Sequence, residues 1–203
     1  MKVYAIDFET YYGSDLSLSK STYEEYCTHP AFEVIGVAVT DGTKTVWKSN
    51  QYSPTAVKEY IEELALKGLF SRDDIRVVAH NAMFDGAVLL HHFGIKATNM
   101  VCTQAMAATV LGESHRVSLA KVAEFLIDAE VDVSHKGEEV VNARGKHVAD
   151  FSNEEMESYG DYCKNDADIC LKAYHFFSNF LTEEELKFQN QVLATYTCPV
   201  LTT

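Results

Sequence analysis

The sequence predicts an α/β domain with a mixed central sheet flanked by helices. Three features predict it. An apolar opening run, Val3–Phe8, carries an aspartate near its end; two β-branched runs are joined by Asp41-Gly42-Thr43; and helix-like and strand-like segments alternate through the rest of the chain.

The elements follow in order. Val3–Phe8 reads as a buried strand. Residues Ser14–Lys20 are loop-like, and Thr22–Thr28 forms a short helix capped by Ser21. Phe32–Thr40 and Thr45–Lys48 are two strands, and Asp-Gly between them is a hairpin signal. Pro54 at a first helical position opens a helix to about Lys67. Arg76–His80 is a further buried strand, and Phe84–Phe93 is a helix that Gly94 stops. A short strand at Asn99–Cys102 precedes helices at Thr103–Leu111 and Ser118–Leu126. Ile127–Asp150 is charged, has no clean period and reads as irregular. Asn153–Phe180 is one long helix capped at Ser152 or Asn153, and Thr182-x-x-Glu185 is a capping box that starts another.

A length of 203 residues with 47% hydrophobic content suits one ordinary domain, expected over residues 1–180, with a C-terminal helical extension over 181–203. No apolar run approaches the ~18–20 residues that span a bilayer, so no membrane partner is expected. The N-terminus meets Asp7 too early for a secretion signal, which predicts a cytoplasmic protein, in the host cytoplasm if the source is viral. The five cysteines are scattered without a C-x-x-C pair and read as free buried thiols. His80, His91, His92 and Cys102 match no zinc-ligand spacing. The net charge of −13 leaves two readings: no nucleic-acid partner, or acids gathered where divalent cations neutralise them while another domain holds the duplex.

Three carboxylate motifs carry the chemistry. Asp7-Phe8-Glu9 comes off the first strand, and side-chain alternation puts Asp7 and Glu9 on one face with Phe8 on the other. Paired hard oxygen ligands suit Mg²⁺ or Mn²⁺, whereas a surface pair such as Asp128-Ala129-Glu130 needs no ion. Asn81-Ala82-Met83-Phe84-Asp85 sits at a strand–helix junction, where Asp85 either approaches Asp7 or merely favours a helix start. Tyr162 and Asp166, four apart on the long helix, share a face; alone, they are equally an ordinary tyrosine and a surface acid.

Taken in this order, strand–Asp-x-Glu, strand–Asn-x-x-Phe-Asp–helix and Tyr-x-x-x-Asp, the motifs resemble the DEDD superfamily of 3′–5′ exonucleases, in the subgroup with a tyrosine in the third motif. Asp7-Phe-Glu-Thr10, Pro30-Ala-Phe-Glu-Val-Ile, His80-Asn-Ala-x-Phe-Asp85 and Tyr162-Cys-Lys-Asn-Asp166-Ala-Asp are similar to the proofreading domains of phage-type family A DNA polymerases, over roughly Val3 to Tyr174. The resemblance implies a ribonuclease H-like fold and a proofreading-type exonuclease that hydrolyses single-stranded or frayed DNA 3′ ends to mononucleotides. It implies two divalent cations, Mg²⁺ or Mn²⁺. Asp7 would bridge them, Glu9 and Asp166 would complete the first site, Asp85 would serve the second, and Tyr162 would orient the attacking water. Thr10, Asn81 and Phe84 would hold the terminal nucleotide, with Phe8 or Met83 also able to pack on it. A polymerase domain, in cis or in trans, is the implied partner, because no polymerase motif is present in this chain; separately, Val101-Cys102-Thr103 has cysteine where relatives usually carry aspartate, which bears on that position and not on the metal site. An exoribonuclease of the same fold and a non-catalytic metal-binding module are the alternatives.

Overall fold

In the computed structural model, which describes residues 1–112, 117–133 and 143–197, the opening apolar run is the middle strand of a sheet. Strands β1 (Lys2–Thr10), β2 (Val34–Thr40), β3 (Thr45–Ser49), β4 (Ile75–Ala79) and β5 (Met100–Cys102) take the order β3-β2-β1-β4-β5. The first three pair antiparallel, whereas β4 and β5 join parallel, so the sheet is mixed as expected. The hairpin turns on Asp41, whose Oδ1 accepts from the Thr43 and Lys44 amides, both at 2.9 Å, while Gly42 takes a φ of +84°.

The two faces of the sheet bury different sets of side chains. Ile6, Phe8, Val37, Val39 and Val77 pack beneath helices α1 (Tyr23–Thr28), α2 (Ala56–Leu66) and α3 (Ala82–Ala87). Ala5, Val78 and Val101 face α4 (Thr103–Leu111), α5 (Leu119–Asp128) and α6 (Asn153–Phe177). Helix α6 lies close to β2 because the contact is made of small residues: Ala38 on the strand, Cys163 and Ala167 on the helix. Trp47 occupies the space that two glycines leave. A Cβ on Gly36 would stand 2.1 Å from the indole, and one on Gly160 would stand 2.6 Å from it.

Helix α7 (Glu183–Thr197) covers the exposed edge of β5. The Asn190 side chain extends the ladder there, accepting from the Met100 amide at 2.9 Å and donating to the Thr98 carbonyl at 2.8 Å. Arg76, only 2% exposed in the middle of β4, ties the same helix down. Its guanidinium pairs with Glu183 and donates to the Tyr174 hydroxyl at 3.0 Å and to Asn99 at 3.1 Å, which a buried charge requires.

Several element boundaries differ from the sequence reading. Thr22, not Ser21, caps α1, in a capping box with Glu25, and α2 begins after Pro54, with Thr55 at its cap. The segment after α3 widens into a π-helical turn over Val88–His92, and Gly94 ends it at a φ of +69°. Helix α6 starts on a Ser152–Glu155 capping box and stops at Phe177, and Thr182 and Glu185 bond reciprocally at the start of α7. Ile127–Asp150 is irregular as expected over its described residues, apart from its first two residues and a 3₁₀ turn at Val148–Asp150. Helix α5 runs on to Asp128, and residues 143–150 are held against the body by Gly145 N–H on the Tyr12 carbonyl and by His147 stacked on Tyr11 at 4.0 Å. Residues 134–142 lie outside the described ones. Asp128-Ala129-Glu130 is a solvated patch at the end of α5, as read from the sequence. Cys27, Cys102, Cys163 and Cys170 are free and buried, and Cys198 lies outside the described residues. Among the described residues, no helix is long and apolar enough to cross a membrane.

Candidate metal centre and nuclease site

The carboxyl-terminal part of β1 is where the acids meet. Alternation along the strand turns Ile6 and Phe8 into one core and leaves Asp7 and Glu9 on the face that α6 covers. A register shift between Glu9 and Thr10 ends the regular pairing with β2 beside these acids. Opposite them on β2 stand Ala38 and Gly36, which let α6 come close enough for its own side chains to reach the pair.

Asp7, Glu9, Tyr162 and Asp166 line one open cleft of about 190 Å³, together with Phe8, Tyr12, Ala143 and Tyr159. Asp85 lies beneath it, 1% exposed, with its Oδ1 accepting the Phe8 amide at 3.1 Å. This delivery depends on Asn81, whose left-handed backbone (φ 67°, ψ 48°) turns the chain sharply from β4 into α3. Asn81 makes no side-chain cap bond, so its contribution to the helix start is the turn itself.

The electrostatics suit a cation. Ligand atoms of Asp7, Glu9 and Cys163 lie within 4.8 Å of one another. Burial, and then the charge of Asp7, push the Asp85 carboxyl well above the usual carboxylate range, against the opposing pull of the Phe8 amide. Like charges held this close are relieved by a hard divalent cation, to which Asp7 and Glu9 offer oxygen donors, and Asp166 lines the same cleft. The Cys163 thiol, pushed upward by burial and by the surrounding acids, stays protonated and donates to Asp7 Oδ2 at 3.3 Å.

The Asp85 shift has a measurable consequence. A carboxyl whose pKa is higher in the folded chain than in the unfolded one contributes stability at acid pH that is lost as pH rises through the folded value. With divalent cations chelated, Asp85→Asn is therefore expected to stabilise the fold at about pH 7.5 and to do so much less near pH ~4, close to the unfolded carboxylate value. Urea melts at both pH values check this, and an equal gain at the two would contradict it.

Other residues singled out from sequence fall elsewhere. Thr10 is buried with its hydroxyl 2.9 Å from that of Tyr26, and Phe84 meets the edge of Tyr26 at 6.2 Å. Phe8, which does line the cleft, turns its ring into the core and stacks on Phe93 at 5.7 Å. Among the described residues, Thr10, Asn81 and Phe84 are not part of the cleft lining. His80 bonds Thr103 and the Val117 carbonyl, at 3.1 and 2.9 Å, and joins no metal-ligating group.

The sequence reading missed Tyr159 and Cys163. Tyr159 is buried and its hydroxyl donates to Glu9 Oε2. The signal was present: 159, 162, 163 and 166 fall at helical spacing on one face, which the Tyr-x-x-x-Asp motif samples only twice.

The sequence matches the family model described as 3′-5′ exonuclease over residues 23–182, a span that holds Asp85, Tyr162 and Asp166 and begins beyond Asp7 and Glu9. A search of curated proteins finds no match. Among solved structures, NrnC of Brucella melitensis is similar at a TM-score of 0.63 and 16% identity, covering 97% of this chain and 82% of that one. Trypanosoma brucei RNase D, in complex with RNA U12, is similar at a TM-score of 0.68 and 12% identity, covering 97% and 62%. The catalytic core of RRP6 from the same organism is similar at 0.61 and 17% identity, covering 97% and 46%. At these identities the likeness is one of fold, and it agrees with the ribonuclease H-like arrangement of the sheet.

Proposed function

Because the chain belongs to the 3′–5′ exonuclease family of the DEDD superfamily, we propose that it trims single-stranded or frayed DNA 3′ ends to mononucleotides, in the manner of a proofreading domain. The observation that carries this reading is the convergence, around one cleft, of acids from β1, α3 and α6. In this reading Asp7, Glu9, Asp85 and Asp166 hold two divalent cations, Mg²⁺ or Mn²⁺. When bound, such a pair neutralises charge on the phosphate and makes water a better nucleophile near neutral pH.

The chain's own side chains supply positioning. Tyr162, half-buried at the cleft wall, presents a hydroxyl suited to orienting the attacking water; with a reference pKa of ~10 a tyrosine is a poor base. Asp85 is anchored beside β1 by the Phe8 amide and buried, so it shapes the charge of the site without obstructing the cleft. Tyr12, 38% exposed at the rim, offers an aromatic face to an incoming base. Thr10, Asn81 and Phe84 fit an indirect part better than contact with the nucleotide, since the Asn81 backbone makes the turn and the Thr10 and Phe84 side chains pack with Tyr26. A polymerase domain, in cis or in trans, is the partner consistent with few cations for phosphate contacts in a chain of net charge −13.

An exoribonuclease is the second reading, favoured by the structural neighbours: RNase D in complex with RNA U12, and NrnC bound to pGG. Discrimination rests on contacts to the 2′-hydroxyl. Digestion of 5′-labelled DNA and RNA oligonucleotides of matched sequence decides between them. We expect a Mn²⁺-dependent ladder that shortens from the 3′ end, faster on DNA and abolished by EDTA. Faster cleavage of RNA would transfer the assignment to the second reading, and Mn²⁺ binding without cleavage of either polymer would make the domain a non-catalytic metal-binding module.

A further inference from the structure

We propose that the Tyr159 hydroxyl is a positioning group that holds the Glu9 carboxylate ready for cation binding, an inference that rests on the metal-dependent reading above. Glu9 carries the more flexible of the two acidic side chains leaving β1, and a flexible ligand must be ordered each time an ion binds. The Tyr159 phenol does that ordering beforehand by donating to Oε2 of Glu9. An ionised carboxylate offers about four acceptor sites, so accepting one phenol hydrogen bond does not preclude binding a cation.

The donor is itself held. Tyr159 is 4% exposed, and its ring stacks on Phe151 at 5.5 Å with the planes 8° apart. Trp47 meets it edge-on at 6.4 Å, and the Tyr162 ring lies 6.5 Å away at 23°. Trp47 is in turn seated over Gly36 and Gly160, so the hydroxyl is referenced to the sheet through rigid aromatic contacts. Cys163, one turn further along α6, does the corresponding service for Asp7, contacting Oδ2 at 3.3 Å and the Asp7 carbonyl at 3.4 Å. A thiol is a weak donor, so Tyr159 contributes the stronger restraint.

A competing account is that this bond exists only without metal and has to break for an ion to enter. The two accounts predict opposite signs. If Tyr159 positions Glu9, removing its hydroxyl weakens cation binding; if it competes with the ion, removal strengthens it.

Calorimetric titration of Mn²⁺ into the full chain, wild type against Tyr159→Phe, measures the sign directly. The expected result is a Kd weaker by about 10–100-fold, the range seen when partners of metal ligands are removed. Nuclease activity should fall at limiting Mn²⁺ and recover as Mn²⁺ is raised. Tyr162→Phe is the contrast, expected to lose activity at every Mn²⁺ concentration while keeping the wild-type Kd. Thermal melts in EDTA separate a purely structural role, which would lower the melting temperature without moving the Kd. Equal or tighter Mn²⁺ binding by folded Tyr159→Phe, beside a wild type that binds and cleaves, overturns this inference alone. A wild type that neither binds Mn²⁺ nor cleaves overturns the functional reading with it. Should Tyr159→Phe not fold, Phe151→Leu keeps the hydroxyl but loosens its stack; a Kd weaker than wild type supports the inference, and an unchanged Kd overturns it.

Discussion

Replacing Asp7 with alanine is expected to lower the Mn²⁺-dependent nuclease rate by about a thousandfold or more, equivalent to ~4 kcal/mol of transition-state stabilisation. Among the acids, Asp7 has the most central surroundings. It lines the cleft, accepts from Cys163, and is the charged group that raises Asp85. The same substitution should make the metal-free protein more stable, because it removes a charge that opposes its neighbours at the edge of a buried layer. Steady-state cleavage of a labelled oligonucleotide and thermal melts in EDTA provide both readouts. A folded Asp7→Ala protein that cleaves at the wild-type rate would sink the nuclease assignment for this cleft. Loss of activity with an unchanged or higher melting temperature would separate a chemical role from a failure to fold.

The second large effect concerns a glycine that touches no substrate. Gly160→Ala puts a methyl 2.6 Å from Trp47 Cδ1 and Nε1 on the helix that bears Tyr162 and Asp166. Two effects oppose each other here. Alanine favours a helix interior over glycine by about 1 kcal/mol, whereas overpacking a rigid contact costs about 1–3 kcal/mol, occasionally more. Overpacking wins, because the indole is already in contact with Gly36 along its six-membered ring and cannot shift that way. The expected outcome is a net loss of up to about 2 kcal/mol, or up to roughly 8 °C in melting temperature for a chain of this size. A displacement of α6 by a fraction of an ångström should also lower the turnover rate by about 10–100-fold, since a misplacement near 1 Å is enough for ~10²-fold. Gly36→Ala, with its methyl at 2.1 Å, should be worse on both counts. A Gly160→Ala protein of raised stability and full activity would show that α6 and Trp47 can rearrange without moving the acids.

Much of this site was legible in one dimension. The period of two along β1 put Asp7 and Glu9 on one face and Phe8 on the other, and the four-residue spacing of Tyr162 and Asp166 placed both on the side of α6 that meets the sheet. Hairpin chemistry at Asp41-Gly42, the cap at Ser152 and the box begun by Thr182 were equally local, so they survived folding. Reading went astray where a local preference met a tertiary demand. Pro54 suits a first helical turn, yet α2 starts only at Ala56, after a turn over residues 54–55. Residues 143–150 carry no period because Tyr12, Tyr11 and Glu33, more than a hundred positions away, hold them in place.

By itself the sequence determined the elements, the face each acid occupies and the family to which the chain belongs, because these follow from contacts two to four residues apart and from motifs read in order. The tertiary structure alone decided that Asp85 lies buried beside β1 on the Phe8 amide, that Tyr159 bonds Glu9, and that Thr10 and Phe84 pack against Tyr26. Those outcomes depend on how α3 and α6 settle on opposite faces of the sheet, and for α6 the depth is set by Gly36, Ala38 and Gly160 meeting Trp47. Close packing between residues far apart in the chain has no periodic signature, and that is the physical reason it could not be read in advance.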